Sequence, residues 1–182
     1  MKATRLLMDE HQQILRAIRV VDAMASRVAH GLSIHDGDAD FILRFLLVFG
    51  DYHHQEREEA ILFPSILKGG PAAELHRLSH FTHEHHQQRS LLEGILKALK
   101  SRQGHEFVFY AKLLTDIERA HIQAEDNDIF RRADRILTVE EDERIARELA
   151  DDTSDRYERI PDLLEALATI ELRYVSRILR QL

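Results

Sequence analysis

The sequence predicts an all-α protein, an up-down-up-down four-helix bundle with additional C-terminal helices. Three observations carry this reading. Apolar residues recur at helical spacing along most of the chain, and few runs alternate with the period of two that a strand requires. Glycine and proline are scarce, 7 and 3 in 182 residues, so long helices can run without interruption. The turn signals leave long segments joined by short loops, the arrangement of antiparallel neighbours.

The first helix is expected from about Ala3 to His30, with Gly31 as its stop. Asp36-Gly37-Asp38 reads as a loop, and Asp38 as the N-cap of the second helix. That helix runs to about Leu67 and stops at Gly69-Gly70, with Pro64 expected to kink or fray its end. Pro71 suits the first position of a third helix, which reaches about Ser101 and ends near Gly104. A fourth runs from about His105 to Leu137. Thr138 and Glu141 form a capping-box pattern that opens a fifth, through the acidic stretch Glu140–Asp152 to about Asp151. A last helix starts near Pro161, and Leu163, Leu164, Leu167, Ile170, Val175, Ile178 and Leu179 give it an apolar face. Residues 1–137 are thus the bundle. Residues 138–182 are a helical extension that packs on it or mediates a homodimer.

Composition narrows the function. A net charge of −7, with no basic stripe, argues against nucleic acid as a partner. The chain has no cysteine, which excludes disulfides, thiolate metal sites and iron–sulfur clusters. Any transition metal must then be held by imidazole and carboxylate. The first residues already carry Asp9, Glu10 and His11 and hold no apolar signal core, and the longest apolar run, near Phe45–Gly50, is too short to cross a bilayer. A cytoplasmic location without membrane attachment is expected by default.

The most informative feature is a repeat. His54, Glu58 and Glu59, then Leu62-Phe63, match His121, Glu125 and Asp126, then Ile129-Phe130, position for position. A His and a Glu four apart share one helix face, where imidazole and carboxylate can clasp one ion. Glu10-His11 and Glu84-His85 echo each other in the same way, so the first two helices resemble the next two and imply a pseudo-twofold axis. These polar residues interrupt apolar stripes: Leu43, Leu47 and Ile61 around the first clasp, Leu114, Ile117 and Ile129 around the second. Ile14 and Ile18 extend the stripe of His11, and Leu78, Phe81, Leu92 and Leu96 flank His85. Counted along antiparallel helices at 1.5 Å per residue, the four histidines reach a common height of roughly 24–28 Å from one end.

The candidate metal ligands are therefore His11, His54, Glu58, His85, His121 and Glu125. This nitrogen- and oxygen-rich set suits iron, manganese, zinc or cobalt. Two bridging carboxylates facing each other in a core would be costly without a cation between them. Asp51 and Glu118, each three residues before a clasp histidine, are expected to orient the ligand imidazoles. Glu59 and Asp126 are read as outer-layer or solvent-facing groups, with Asp126 able to replace or join Glu125. His76 and His80 are an alternative pair if the third helix is shifted. Otherwise His53, His76, His80, His83 and His86 are surface residues, and His30, His35 and His105 lie in loops or at helix ends. Gly50, one turn before His54, serves close helix packing or opens a small ligand pocket.

In these residues the chain resembles hemerythrin-like, HHE cation-binding domain proteins. The resemblance rests on Glu10-His11, Tyr52-His53-His54 with Glu58-Glu59 and Leu62-Phe63-Pro64, Glu84-His85 with Arg89, and His121 with Glu125-Asp126 and Ile129-Phe130. It implies a four-helix bundle around two non-haem iron ions, with other divalent metals such as zinc or manganese as alternatives. An oxygen carrier of that group has a His-x-x-x-His pair on its third helix and an Asp in place of the second Glu. Here Phe81 stands four residues before His85, so simple oxygen carriage is not implied. The expected role is binding or sensing of a small ligand such as O2, NO or peroxide. The alternatives are a di-iron enzyme, peroxidase-like or NO-reducing, with Tyr52, Tyr110 and Glu118 near the stripe, and iron or zinc handling without redox chemistry. No catalytic residue is assigned.

Overall fold

The computed structural model describes residues 2–150 and 160–178, with the side chains of 176–178 excepted. Leu179, the side chain of Ile178 and the last two acids of the acidic stretch lie outside the described residues. Among those described there is no strand. Helix α1 spans Ala3–Ala29. Helix α2 is a continuous rod built from Asp36–Phe45, the π-helical segments Leu46–Gln55 and Glu58–Leu62, and Phe63–Gly69. Helix α3 spans Ala73–Lys100. Helix α4 runs over Gly104–Ala124, the π-helical Glu125–Ile129 and Phe130–Ile136. Helices α5, Val139–Ala150, and α6, Ile160–Ile178, follow.

The expected boundaries hold to within a few residues, and the differences have physical reasons. Gly31 adopts φ +72° and lets Leu32 N–H reach back to Arg27 O at 2.9 Å, which closes α1. Asp38 is not the N-cap of α2. The helix begins two residues earlier, and the buried Asp38 carboxylate instead accepts from Arg173 and, at 3.0 Å, from the Tyr174 hydroxyl of α6. A carboxylate facing a guanidinium and a hydroxyl gains more than one capping a solvated helix end. Pro64 neither ends nor frays α2. It occupies the first turn after a π segment, where its missing N–H is least costly. The capping box forms as expected: Thr138 N–H donates to Glu141 and Glu141 N–H to Thr138 Oγ1.

The π segments were not expected, and the sequence explains them. Among the buried residues of α2 around the first clasp, Leu46, Gly50, His54, Glu58, Leu62 and Ile66 form a series in which every step is four, flanked by Phe45, Phe49, Gln55 and Phe63. On an α-helix of 3.6 residues per turn, each step of four overshoots by about 40°, so such a run would spiral away from the core. Widening the turn to i→i+5 bonding keeps the run in line. In α4 the buried residues Leu114, Glu118, His121, Glu125 and Ile129 mix steps of three and four until the last two, and the π winding begins at Glu125. This re-phasing also corrects the expected stripes. Leu47 is 39% exposed, with Leu46 and Phe49 turned inward in its place. On α3, Leu96 is 37% exposed and Ile95 takes the core position.

The apolar core divides into two clusters. One joins Ile14, Ile18, Val21 and Met24 of α1 to Phe45 and Phe49 of α2, Ile95, Leu114, and Leu163, Leu167 and Ile170 of α6. The other joins Leu7, Leu62, Phe63, Ile66, Leu78, Phe81, Ile129 and Phe130 to Ile145 and Leu149 of α5. The polar layer of His11, His54, His85 and His121 lies between them along each helix. Leu167 is fully buried, so Leu167→Ala is expected to cost about 2–5 kcal/mol through lost burial and a residual cavity. Urea unfolding checks this, and a cost under about 1 kcal/mol would show that α6 is only loosely attached.

Candidate metal centre

All six sequence-predicted site residues meet in the layer between the two apolar clusters, one or two from each of the four bundle helices. Their exposures are 2% or less. The Nε2 atoms of the histidines turn toward two carboxylates. His11 and His121 Nε2 lie 3.2 and 3.3 Å from Glu125 Oε2. His54 Nε2 is 3.5 Å from Glu58 Oε1, and His85 Nε2 is 3.6 Å from Glu58 Oε2 and 3.8 Å from Glu125 Oε1. Within this layer, His11, His54, Glu58 and Glu125 form one group with metal-ligating geometry, and His85, His121 and Glu125 a second.

The Nδ1 atoms face outward, and each meets an acid. His11 Nδ1 lies 2.7 Å from Asp126, His54 2.9 Å from Glu10, His85 2.7 Å from Glu59 and His121 2.8 Å from Glu84. A carboxylate only accepts, so each Nδ1 carries the proton and each Nε2 is oriented toward the centre. The pattern obeys the pseudo-twofold axis. Glu10 and Glu84, each preceding a ligand candidate, hold the clasp histidines, while Glu59 and Asp126, each following a clasp Glu, hold His85 and His11. Aromatic rings follow it too: Phe130 stacks on His11 at 5.3 Å and Phe63 on His85 at 6.2 Å.

Several expectations are corrected. Asp51 does not orient an imidazole. It accepts from Arg89 Nε at 2.7 Å, because Glu10 already occupies His54 Nδ1. Glu118 makes no imidazole contact either, since Glu84 holds His121. Asp126 belongs to the outer layer, and His80 lies outside the centre, exposed and 3.3 Å from Glu84. His53, expected at the surface, is half-buried against Arg57 and Glu10. The outer acids were legible in one signal: each is chain-adjacent to a residue of the six.

The charges of the layer oppose one another. Burial, with Glu125 close by, pushes the Glu58 carboxyl up to about 8. Burial also opposes charge on Glu125, but His121 and His11 outweigh it and hold that carboxyl well below its ordinary value. Burial lowers His11, yet its bonds to Asp126 and Glu125 raise it to about 10. His85 rises to about 9 against the same penalty through Glu125 and Glu59. Burial and neighbouring His11 take His54 down to about 4. Even so, both oxygens of Glu58 and Glu125, and Nε2 of His11 and His54, have no hydrogen-bond partner. Buried polar groups left so are costly, and a cation satisfies donors of this chemistry together. The residues therefore fit a metal site.

The family profile of the hemerythrin HHE cation binding domain matches residues 2–133, and the chain belongs to that family. No curated protein and no solved structure matches it. Among the described residues no helix is long and apolar enough to cross a membrane.

Two outcomes follow from the geometry. Alanine at Asp126, Glu10, Glu59 or Glu84 should weaken metal affinity about 10–100-fold, and Asp51→Ala far less, as read by chelator competition. Uptake should also release protons. His11 and His85 stand above 6.5, so the stability their protons give the metal-free chain is complete below about 6.5 and lost as pH rises through about 9–10. Metal affinity should rise over the same window, and calorimetry in buffers of different ionisation heat would register the release.

Proposed function

We propose that the chain holds a non-haem di-iron centre that binds or senses a small ligand such as O2, NO or peroxide. His11 and His54 would serve one ion, His85 and His121 the other, with Glu58 and Glu125 bridging. The observation that carries this reading is the pair of sealed, unpartnered carboxylates with four Nε2 atoms turned toward them. Two features argue for two ions rather than one. The donors fall into two overlapping groups that share Glu125. Once the imidazoles are neutral, as ligation requires, the carboxylates of the inner and outer layers also outnumber the guanidinium groups that reach them, Arg57 on Glu10 and Arg89 on Glu59. The excess negative charge is of the kind a pair of cations offsets.

The side chains do the rest. The outer acids fix the imidazole tautomer and raise ligand basicity. The apolar clusters on either side keep bulk water out, which strengthens every charge interaction in the layer. Iron held by these six side chains would supply electrons and a binding position for a diatomic or peroxide ligand.

Anaerobic purification followed by metal analysis should give two ions per chain, with iron distinguished from zinc and manganese. The oxidised protein should absorb as an oxo-bridged ferric pair, and the spectrum should change on reduction and on exposure to O2, NO or peroxide. Stoichiometry well below two would remove the two-metal centre, and a full complement of zinc without such absorption would remove the redox role.

A further inference from the structure

At the end of the bundle remote from the metal layer, two guanidinium groups from opposite ends of the chain meet at one cavity. Arg27 stands in the last turn of α1 and Arg173 on α6. With Ser33, Ile34, His35 and Tyr174 they line a cavity of about 290 Å³. Arg27 follows His11 on α1 by four and a half turns, which at 1.5 Å per residue puts the cavity roughly 24 Å from the metal layer.

The fold fixes the walls without occupying the donors. Tyr174, 6% exposed, accepts from His35 N–H at 3.1 Å and donates to Asp38 at 3.0 Å, which ties the α1–α2 loop to α6. Arg27 Nε and Nη2 both donate to Ser33 O, at 3.2 and 3.0 Å, and draw the loop back over the end of α1. Arg173 gives only Nη1 to the Asp38 carboxylate. A guanidinium carries five N–H donors in a planar fork. Among the described residues, Nη1 of Arg27 and both Nε and Nη2 of Arg173 have no partner.

The charges do not balance either. Asp38 pairs with Arg173 and stands 4.0 Å from His35 Nδ1. Among the described residues no carboxylate forms an ion pair with Arg27, whose one partner is the Ser33 carbonyl. Two permanent cations and an imidazole thus serve a cavity with a single buried acid beside it. The excess is positive in a protein whose net charge is −7, so the general field does not explain it.

We propose that this cavity binds a phosphate group, and that its occupant fastens α6 to the α1–α2 loop. Guanidinium forks match phosphate oxygens bidentately. The donors come from three directions, α1, the loop and α6, which suits a tetrahedral oxyanion better than a planar carboxylate. A ligand that touches all three elements binds only while they are together, so it stabilises the docked α6 by mass action. The site is separate from the candidate metal centre and does not depend on it.

Calorimetric titration of the full chain with sodium phosphate, against sodium chloride of equal ionic strength, should show one saturable site per chain. Arg27→Gln and His35→Gln should each weaken it about 10–100-fold, the size of a lost hydrogen bond to a charged group. Arg27→Lys, which keeps the charge and loses the fork, should fall between. Neither side chain belongs to an apolar cluster, so the variants should keep the circular dichroism of the wild type. At 100-fold excess over Kd, phosphate should raise the wild-type Tm by roughly 5–10 °C and slow amide exchange in α6. Phenyl phosphate serves as a second probe: tighter binding than inorganic phosphate would support the site with a phosphate monoester as its ligand, and equal binding would support it with the free anion. Absence of saturable binding would overturn the site. Binding indifferent to both R27Q and H35Q, as for phosphate drawn to the metal layer, would overturn this cavity as its place. Acetate bound as tightly as phosphate would overturn the ligand class, and unchanged α6 exchange at saturation would overturn the fastening.

Discussion

Two carboxylates with no solvent contact face one another inside this bundle, and the rest of the molecule is arranged around that fact. Like charges in a low-dielectric interior cannot both ionise at ordinary cost. Here the opposition shows directly, with Glu58 driven up while Glu125 is held down by His121 and His11. The imidazoles relieve only part of the conflict, because their Nε2 atoms sit mostly beyond 3.2 Å from the oxygens they face. Four donors turned toward a shared centre, at distances long for hydrogen bonds, are arranged as the ligands of a cation would be. The apolar clusters on either side raise the stakes by keeping water from supplying it.

That constraint propagates outward. Orienting an imidazole takes a partner at its far nitrogen, and each of the four has one. The partners need steadying in turn, and here the halves diverge. Arg57 and His53 steady Glu10, Arg89 reaches Glu59, and Glu84, besides His121, meets the exposed His80. The two imidazole pairs therefore sit in unlike fields although their immediate geometry is matched. Duplicated geometry with unequal charge lets two bound ions differ in the ligands they favour.

Much of this was legible in the sequence, and the reasons for the rest are specific. The six site residues could be read because His and Glu four apart can do little else inside an apolar stripe. Glu59 and Asp126 were read as outer-layer or solvent-facing groups, but the orienting role was given to Asp51 and Glu118 by an argument of spacing along one helix. The true partners come from neighbouring helices, and only packing shows that Glu10 reaches His54 or that Asp126 reaches His11. The π segments were encoded in the unbroken steps of four from Leu46 to Ile66, a pattern that resembles ordinary helical periodicity unless its drift is counted. Asp38 carries both a capping residue's chemistry and a buried pair's, and only the presence of Arg173 and Tyr174 decides between them.

The broken symmetry extends to the seams between helices. Between α2 and α3, at the heights flanking the metal layer, stand the Asp51–Arg89 pair and the amides of Gln55 and Gln88, hydrogen-bonded to each other and both buried. The symmetry-related positions between α4 and α1 are Glu118 with Leu15, and Ile122 with Ile14. The α2–α3 seam thus carries paired amides and charges at these heights, while the α4–α1 seam is joined by Thr115 and Arg119 of α4 on Asp22 of α1. Glu118 is buried at the α4 position that matches Asp51, and Leu15 stands where the other half has Arg89, so the charge pair of one half has no counterpart in the other. The duplicated clasps therefore sit between unlike seams, which adds to the unequal support of their outer acids.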